Sequence, residues 1–283
     1  MSWQYSSWNE AFVKRAQKEG RGKGVGRNYK PYLEVHDVPS RGLARRAPGV
    51  TTGRVHHLLS NVEYHFFLML DWSSAVTDIR EQYPVDRQAT QDMALSLRIK
   101  HPCYPGTHEP IQMSVDFMVT QGSGADRKLI AFDLKRSEDA EGERSIEKLE
   151  LMRATLAEIG VPHHLVYHSM LPARKIRHLE WIRFGLLRDG ETEPFPNYFE
   201  DNCIRMLAEL RANTSRVALN QYCAQYDARH GLPQGSGLRI AQMLMHNHVL
   251  MPDFDQSALC DAPLSSFVLH EKGKQRPDLQ VAA

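Results

Sequence analysis

The sequence predicts a mixed α/β domain with an open central sheet, followed by a mainly helical C-terminal domain. Four stretches have the length and residue types of strands: residues 76–85, 111–119, 128–135 and 163–168. Helical patterns begin at Ser60 and Glu143, so the predicted order is helix, three strands, helix, strand. The later patterns are mostly helical, which predicts one domain over residues 1–168 and another over residues 169–283.

Length, hydrophobic content and cysteine spacing limit the classes of protein to which this chain can belong. The chain has 283 residues, of which 42% are hydrophobic, enough for one large domain or two modest ones. It has no apolar run of membrane-spanning length and no signal-peptide core after Met1, so we expect a cytoplasmic protein. Its cysteines are dispersed, without a Cys-x-x-Cys pair, which argues against a zinc site or a disulfide framework.

Positive charge is concentrated near the N-terminus. Residues 1–54 contain 11 Lys and Arg against 4 Asp and Glu, a net charge of +7, whereas the remaining residues carry −6. Glycines alternate with other residues between Gly20 and Gly26, and we expect them to keep a basic arm mobile. Such an arm suits a phosphate backbone, although a solvated tail without a ligand is a common alternative.

The most informative stretch is the hairpin predicted from residues 111–119 and 128–135. Alternation along the second strand places Asp133 and Lys135 on one face, and Asp116 lies among apolar neighbours in the first strand. A turn rich in Gly and Ser joins the strands, so the three side chains are expected to meet at one edge. An acid beside a lysine on a mostly buried strand is costly unless both serve a site or a paired network.

These residue types are typical of a metal-dependent phosphodiesterase. Carboxylates bind Mg²⁺ through oxygen, and the Leu134 carbonyl offers a further oxygen ligand. Lys135 is suited to orient a water or to stabilise charge on the phosphate. The alternative, a surface hairpin with an ordinary Asp–Lys pair, fits the hairpin alone equally well.

Two predicted helices flank the strands. Ser60 and Glu63 have the spacing of a capping box before a helix that is apolar nearly all round. Spacing alone favours capping as the role of Glu63, with a third acid for the metal site as the alternative. Between residue 86 and the hairpin we expect an irregular loop. In the helix that begins at Glu143, an apolar stripe is predicted from Ile146, Leu149, Leu156 and Ile159.

The C-terminal domain is less specific. Helices are predicted near residues 174–184, 198–211, 215–229 and 236–246, and short strands near 249–251 and 265–270. The last two helices suit a winged helix-turn-helix, and four side chains are candidates to face a DNA groove: Arg239, Gln242, His246 and Asn247. A small helical domain that docks a protein partner fits at least as well, because this part has no basic excess.

Six runs in the N-terminal half carry a resemblance to a known family: Lys18–Gly24, Gly53–Ser60, Asp78–Pro84, Asp116–Phe117, Asp133–Lys135 and Glu147–Glu150. With the order of the elements, they resemble the restriction-endonuclease-like fold and its D…(D/E)-x-K motif. Within that fold the chain resembles the TnsA family, the endonuclease subunits of heteromeric cut-and-paste transposases.

The resemblance implies roles for particular residues. The family's catalytic acids fall on Glu63 and Asp116 and its lysine on Lys135, which favours Glu63 as a metal ligand over a cap alone. Asp133 and the Leu134 carbonyl are expected to complete the metal site. Some relatives have Gln at the position of Asp133, so the share of coordination that Asp133 takes is open. The expected cofactor is Mg²⁺, with Mn²⁺ as a substitute.

The expected function is cleavage of double-stranded DNA at the 5′ ends of a mobile element. The resemblance implies two partners, a DDE-type transposase (TnsB-like) and an AAA+ ATPase regulator (TnsC-like) that contacts the C-terminal domain. Two alternatives remain: a free-standing restriction or repair nuclease, and a DNA-binding assembly subunit with a degenerate site. The intact set of Asp116, Asp133 and Lys135 argues against the second.

Overall fold

Two compact units make up the chain in the computed structural model, which describes residues 10–38, 44–136, 142–187, 190–212 and 216–270. The first unit extends to Leu171 and the second begins at Pro172. No helix within these ranges is both long and apolar enough to cross a membrane.

The first unit combines helices with two separate sheets. Its α-helices are α1 (Glu10–Lys18), α2 (Asn61–Trp72), α3 (Arg87–Leu97) and α4 (Glu143–Glu158). Its strands are β1 (Arg45–Gly49), β2 (Arg54–Leu58), β3 (Val76–Pro84), β4 (Ser114–Gln121), β5 (Lys128–Lys135) and β6 (His163–Tyr167). Strands β1 and β2 form an antiparallel hairpin, which the patterns in the sequence do not predict.

A four-stranded mixed sheet in the order β3-β4-β5-β6 forms the centre of this unit. Strands β3, β4 and β5 pair antiparallel, and β6 pairs parallel with β5. A parallel neighbour requires a crossover connection, which α4 supplies. The predicted hairpin and the mixed α/β class are confirmed.

Helices cover both faces of the sheet. Helix α2 packs on one face in a cluster that includes Phe66, Phe67, Phe117 and Leu134. Helices α3 and α4 pack on the other face in a cluster that includes Met93, Met118, Ala131, Leu151 and Leu156. Ala131 and Leu134 thus bury into opposite faces, as the alternation along β5 predicts.

The region after residue 86 is not the irregular loop that we expected. It contains α3, whose first turn is capped by Asp86: the Asp86 carboxylate accepts a hydrogen bond of 2.8 Å from the Ala89 N–H. The helix buries Thr90, Met93 and Ala94. The apolar signal was weak because only these few residues face the core.

The apolar stripe predicted along α4 is wrong at both ends. Ile146 is 55% exposed and Ile159, which follows the last helical residue, is 70% exposed. The buried face is formed by Leu151, Met152, Thr155 and Leu156. It includes a threonine, whose hydroxyl donates to the Leu151 carbonyl, so hydrophobicity alone did not reveal it.

The glycine-rich part of the N-terminal segment is folded, whereas the sequence predicted a mobile arm. Gly20, Gly22, Gly24 and Gly26 all have positive φ. They shape a turn that is closed by hydrogen bonds from Gly22 N–H to the Lys30 carbonyl and from Lys30 N–H to the Lys23 carbonyl. Alternating glycine therefore specifies a defined backbone here, because other residues seldom adopt positive φ.

This turn is attached to the edge strand β3. The Gly26 N–H donates to Asp78 Oδ1 at 3.1 Å, and the Tyr29 hydroxyl donates to the Glu81 carbonyl at 3.0 Å. Further along, the Tyr32 N–H donates to the Gln82 carbonyl at 3.3 Å. The segment accordingly covers the edge of the central sheet, which an unpaired strand would leave open to other chains.

The second unit contains four helices and a short ribbon among its described residues. The helices are α5 (Ala173–Arg183), α6 (Tyr198–Ala212), α7 (Leu219–His230) and α8 (Ser236–His246). Strands β7 (Leu250–Pro252) and β8 (Phe267–Leu269) pair antiparallel. These elements lie within four residues of the predicted boundaries.

Helix α8 lies in the core of the second unit. All of its residues from Ile240 to His246 are buried. The Gln242 amide donates to the Trp181 carbonyl at 2.8 Å, and the Arg239 guanidinium pairs with Glu191. The prediction that Arg239, Gln242 and His246 face a DNA groove is therefore wrong, because these side chains serve the fold of the unit. Asn247 is exposed.

Candidate active site

Strands β4 and β5 bring Asp116 and Asp133 side by side. Phe117 pairs with Phe132 in the antiparallel register, so the two acids follow on opposite strands. The Asp116 N–H donates to Asp133 Oδ1 at 3.1 Å, and the Leu134 N–H donates to Asp116 Oδ2 at 2.7 Å. Each carboxylate is thus oriented by the backbone of the neighbouring strand.

Glu63 reaches this site from the first turn of α2. It caps the helix as its spacing predicts: the Glu63 N–H donates to Ser60 Oγ, while the Ser60 hydroxyl and the Leu59 N–H each donate to the Glu63 carboxylate at 2.9 Å. The side chain is also buried, and the charge of Asp116 acts on it. Glu63 is both a helix cap and a neighbour of Asp116, so a capping role and a role in the metal site are compatible.

Burial opposes ionisation of the two acids. It raises the pKa of Glu63 to about 8, with a further contribution from Asp116. Burial also raises the pKa of Asp116 to about 6, where Lys135 acts in the opposite direction and Asp133 adds to the rise. Neighbouring carboxyls in a dry site disfavour each other's charged form. A bound cation would relieve this repulsion.

Lys135 lies at the same end of β5 and is half-buried. Its charge lowers the pKa of Asp116. Asp116, Asp133 and Lys135 all line one cavity of about 480 Å³. The structure therefore brings the three hairpin residues together around a single space.

The cavity has a polar end at these residues and an apolar wall. The N-terminal segment contributes Phe12, Tyr32 and Leu33 to that wall, and helix α4 contributes Ser145, Lys148, Leu149 and Met152. Partial burial, Arg144 and Lys135 lower the pKa of Lys148, so two lysine side chains influence each other beside the acids. A concentration of positive charge next to carboxylates suits a phosphate group.

Asp133 has a further contact that the sequence did not indicate. Its Oδ2 lies 2.9 Å from Nε2 of His163 at the start of β6. Both Asp133 oxygens thus have partners within the protein, His163 and the Asp116 N–H. No sequence signal links residues 133 and 163, because the contact depends on the parallel pairing of β5 with β6.

The residues at the site fit a hard divalent cation. Carboxylate oxygens are the ligands that Mg²⁺ prefers. Glu63 is buried and Asp116 is half-buried, and both have raised pKa values, so both gain from a bound positive charge. Within the described ranges, one group of three potential ligands has donor atoms all within 4.8 Å of one another: Glu34, His36 and Asp37. Arg15 and Arg21 pair with Asp37, so that group is already neutralised.

Gln82 is a site residue that sequence reasoning missed. It lies on β3, is buried, and its amide Nε2 is 3.4 Å from Glu63 Oε2. The register of β3 with β4 places Gln82 opposite Asp116. The available signal was a run of polar residues in a strand, since Asp78, Arg80, Glu81 and Gln82 are all buried.

Two of the runs that carried the family resemblance bind each other directly. Arg54 forms two hydrogen bonds with Glu81, of 2.8 and 2.5 Å, and His56 Nδ1 lies 2.7 Å from the same carboxylate. Burial alone would raise the pKa of Glu81, but His56 and Arg54 together hold it well below its ordinary value. This network fixes the β1–β2 hairpin to β3, immediately before Gln82.

Comparison with known proteins matches the chain to one family. The family described as TnsA-like endonuclease N terminal matches residues 73–168, which include β3 to β6 and three of the site residues: Asp116, Asp133 and Lys135. The transposon Tn7 transposition protein TnsA of Escherichia coli is 38% identical over 242 residues, which cover 86% of this chain and 85% of that protein. Identity at this level over nearly the whole chain shows common descent, and the chain belongs to the TnsA family of endonucleases.

Proposed function

We propose that this chain is the Mg²⁺-dependent endonuclease subunit of a heteromeric transposase and cuts double-stranded DNA at the 5′ ends of a mobile element. The observation that carries the proposal is the cavity lined by Asp116, Asp133 and Lys135, with Glu63 near enough for the charge of Asp116 to oppose its ionisation. The similarity to a protein named for Tn7 transposition supports the biological setting.

Glu63, Asp116, Asp133 and the Leu134 carbonyl would hold the metal ion. When bound, Mg²⁺ supplies positive charge that lowers the pKa of the attacking water and stabilises the phosphate, and Mn²⁺ is expected to do the same. The backbone bonds to Asp116 and Asp133 keep these carboxylates in place. Ligands that are already oriented need little rearrangement when the ion binds.

Lys135 acts on the reacting groups in this mechanism. Its ammonium group, at the cavity beside Asp116, donates a hydrogen bond to the attacking water or to a phosphate oxygen. The water oxygen forms a bond to phosphorus as the bond from phosphorus to the 3′ oxygen breaks. The departing 3′ oxygen takes up a proton, so the products are a 5′ phosphate and a 3′ hydroxyl.

The glycine turn of the N-terminal segment would bind the DNA backbone. Lys23 and Arg27 are exposed, and their side chains have no ion-pair partner in the described part of the chain. Arg15 and Arg21, by contrast, pair with Asp37. Free cations on an ordered turn can contact phosphates without the entropy cost of ordering a mobile arm.

The second unit is proposed to dock the AAA+ ATPase partner (TnsC-like), whereas the DDE-type transposase (TnsB-like) recognises the ends. The order α7, turn, α8, β7, β8 supports a winged helix-turn-helix topology. The burial of α8 favours a docking role, because a helix that reads a major groove must expose its polar side chains.

A cleavage assay on a plasmid that carries the element's ends tests this function. The chain, the transposase and the ATPase are incubated with Mg²⁺, and the DNA termini are sequenced. We expect breaks at the 5′ ends of the element, with 5′ phosphates, and no breaks in EDTA. Equal cutting of a plasmid without the ends would contradict the proposal and favour a free-standing nuclease.

A further inference from the structure

Gln82 has an unusual backbone conformation for its place in the sheet. Its φ is +48°, in the left-handed region that non-glycine residues seldom adopt. Its neighbours Glu81 and Tyr83 pair with Phe117 and Val115 on β4, so Gln82 lies opposite Asp116. A strained residue that persists within a paired strand is held by its surroundings, and such strain is common at functional sites.

Contacts on both the backbone and the side chain hold Gln82. Its carbonyl accepts a hydrogen bond from the Tyr32 N–H at 3.3 Å, and Gly22 in the same segment packs on Pro84 two residues later. Its amide Nε2 lies 3.4 Å from Glu63 Oε2, and Gln82 lies opposite Asp116 in the register of β3 with β4. An amide nitrogen has two N–H donors, so one group is able to serve both carboxylates.

A neutral hydrogen-bond donor is the group best suited to a position between two acids that bind a metal ion. A lysine at this position would neutralise the acids and compete with the cation, and a glutamate would add a third repelling charge. The Gln82 amide donates to a carboxylate without adding charge, so it supports the ionised form of the acids and leaves their net charge for a cation.

We propose that Gln82 is a positioning residue of the metal site: its amide bridges Glu63 and Asp116 and presents their remaining oxygens to one divalent cation. This inference rests on the proposed function, since it assumes that these acids bind metal. It also gives the N-terminal segment a role near the chemistry, because that segment holds the Gln82 backbone through Tyr32.

Titration of Mn²⁺ into the full-length chain, followed by calorimetry, tests the inference without DNA or partners. Glycine adopts positive φ readily, so Gln82→Gly keeps the backbone and removes only the amide side chain. We expect Gln82→Gly to weaken Mn²⁺ affinity by about 10- to 100-fold, the range for residues that orient metal ligands. Gln82→Asn also tolerates this φ and keeps an amide one carbon shorter, so its affinity should lie between wild type and Gln82→Gly.

Thermal melting in EDTA separates positioning from a structural role. The control is Gln88→Ala, which removes an amide–carboxylate hydrogen bond of 2.8 Å to Asp92 on the exposed face of α3. We expect this control to keep wild-type Mn²⁺ affinity. Wild-type affinity in a folded Gln82→Gly or Gln82→Asn protein, with only a lower melting temperature, would overturn the inference. Failure of the wild-type chain to bind Mn²⁺ would instead overturn the proposed function, and this inference with it.

Discussion

Glu63 and Asp116 dominate the chemistry of the site, because desolvation and neighbouring like charges both oppose their ionisation. Removal of Asp116 takes away charge that would neutralise the metal ion. We therefore expect Asp116→Ala to lose metal affinity and cleavage together, with cleavage reduced by at least about 100-fold. In EDTA its melting temperature should hold or rise, since the repulsion with Glu63 is relieved. Cleavage at the wild-type rate in Mg²⁺ would show that the site is wrongly assigned.

Asp116→Asn sharpens this experiment. Asparagine keeps an oxygen that accepts from the Leu134 N–H, a bond of 2.7 Å in the wild-type structure. The alanine variant leaves that N–H without its acceptor, which adds a stability cost unrelated to charge. Loss of metal binding in both variants, with the higher melting temperature in Asp116→Asn, would assign the effect to charge.

Lys135 should affect chemistry more than binding. We expect Lys135→Ala to bind DNA nearly as well as wild type and to lose cleavage by about 100-fold or more, the scale of an electrostatic donor. DNA affinity and single-turnover cleavage measured on the same protein check this. A lower melting temperature with cleavage largely kept would indicate that Lys135 serves only as a structural partner of the acids.

The raised pKa of Glu63 predicts a pH dependence of stability. The ordinary value is 4.5 and the folded value about 8, so between these pH values the folded chain holds a proton that the unfolded chain has lost. The free energy of unfolding of the metal-free protein should therefore fall as pH rises through this window, by at most ~1.4 kcal/mol per pH unit for this group.

Chemical denaturation in EDTA between pH 5 and pH 8 (about the limits of this window) measures the effect as the difference between wild type and Glu63→Gln. Burial lowers the pKa of His57 and His101, and both titrate in each protein, so their contributions cancel in the difference. What remains is the titration of Glu63 together with the change that its replacement causes at Asp116. Mg²⁺ should oppose the fall in wild type alone. A difference that does not change with pH would refute the assigned protonation of Glu63.

The sequence alone predicts some residues of the candidate site and not others, and the difference has a physical reason. Alternation along one strand placed Asp133 and Lys135 on a common face, and a short turn brought Asp116 beside them. Spacing left two roles open for Glu63, and its position in the structure is compatible with both. Gln82 and His163 depend on register between strands that are distant in sequence, which local patterns do not encode.

At the scale of elements, the glycine turn is a folded part of the first unit and packs on Pro84 of β3. A Cβ on Gly22 would lie 2.3 Å from Cγ of Pro84, and the φ of +75° adds strain. We expect Gly22→Ala to destabilise the protein by ~1–2 kcal/mol from the backbone and by a further ~1–3 kcal/mol from overpacking. Thermal or urea denaturation provides the measurement.

Gly20→Ala is the matched control for this prediction. Its φ is +71°, but a Cβ there would meet no atom within 4 Å, so only the backbone cost applies. The two variants should therefore differ by the overpacking contribution. Equal stabilities would mean that the contact between Gly22 and Pro84 contributes nothing and that the turn does not pack on β3.

The elements that the sequence failed to predict share a cause. Helix α3 has few core residues, and the glycine-rich segment has the composition of a flexible linker, so tertiary contacts determine both. Helix α8 shows the converse, because its polar residues suggested an exposed face while Gln242 and Arg239 bond within the unit. Hydrophobic periodicity detects apolar faces, but it does not detect polar groups that are buried together with their hydrogen-bond partners.

At the scale of the whole molecule, the described part of the chain does not expose the predicted recognition helix to DNA. The candidate recognition helix α8 is buried, and the free cations Lys23 and Arg27 suit phosphates, which position DNA without specifying it. We therefore expect weak, salt-sensitive DNA binding by the chain alone and almost no cleavage. In the plasmid assay, omission of either the transposase or the ATPase should abolish breaks at the ends.

Binding measured at several salt concentrations tests the non-specific part of this prediction. Deletion of residues 1–30 is unsuitable as a test, because Phe12 belongs to an apolar cluster with Tyr32 and Leu33 and its loss would damage the fold. The double substitution of Lys23 and Arg27 by alanine avoids that damage. It should weaken binding equally for all sequences and reduce the salt slope by about one unit per lost phosphate contact. Efficient, site-specific cleavage by the purified single chain at moderate salt would contradict the dependence on partners, because the chain would then contain its own means of recognising a sequence.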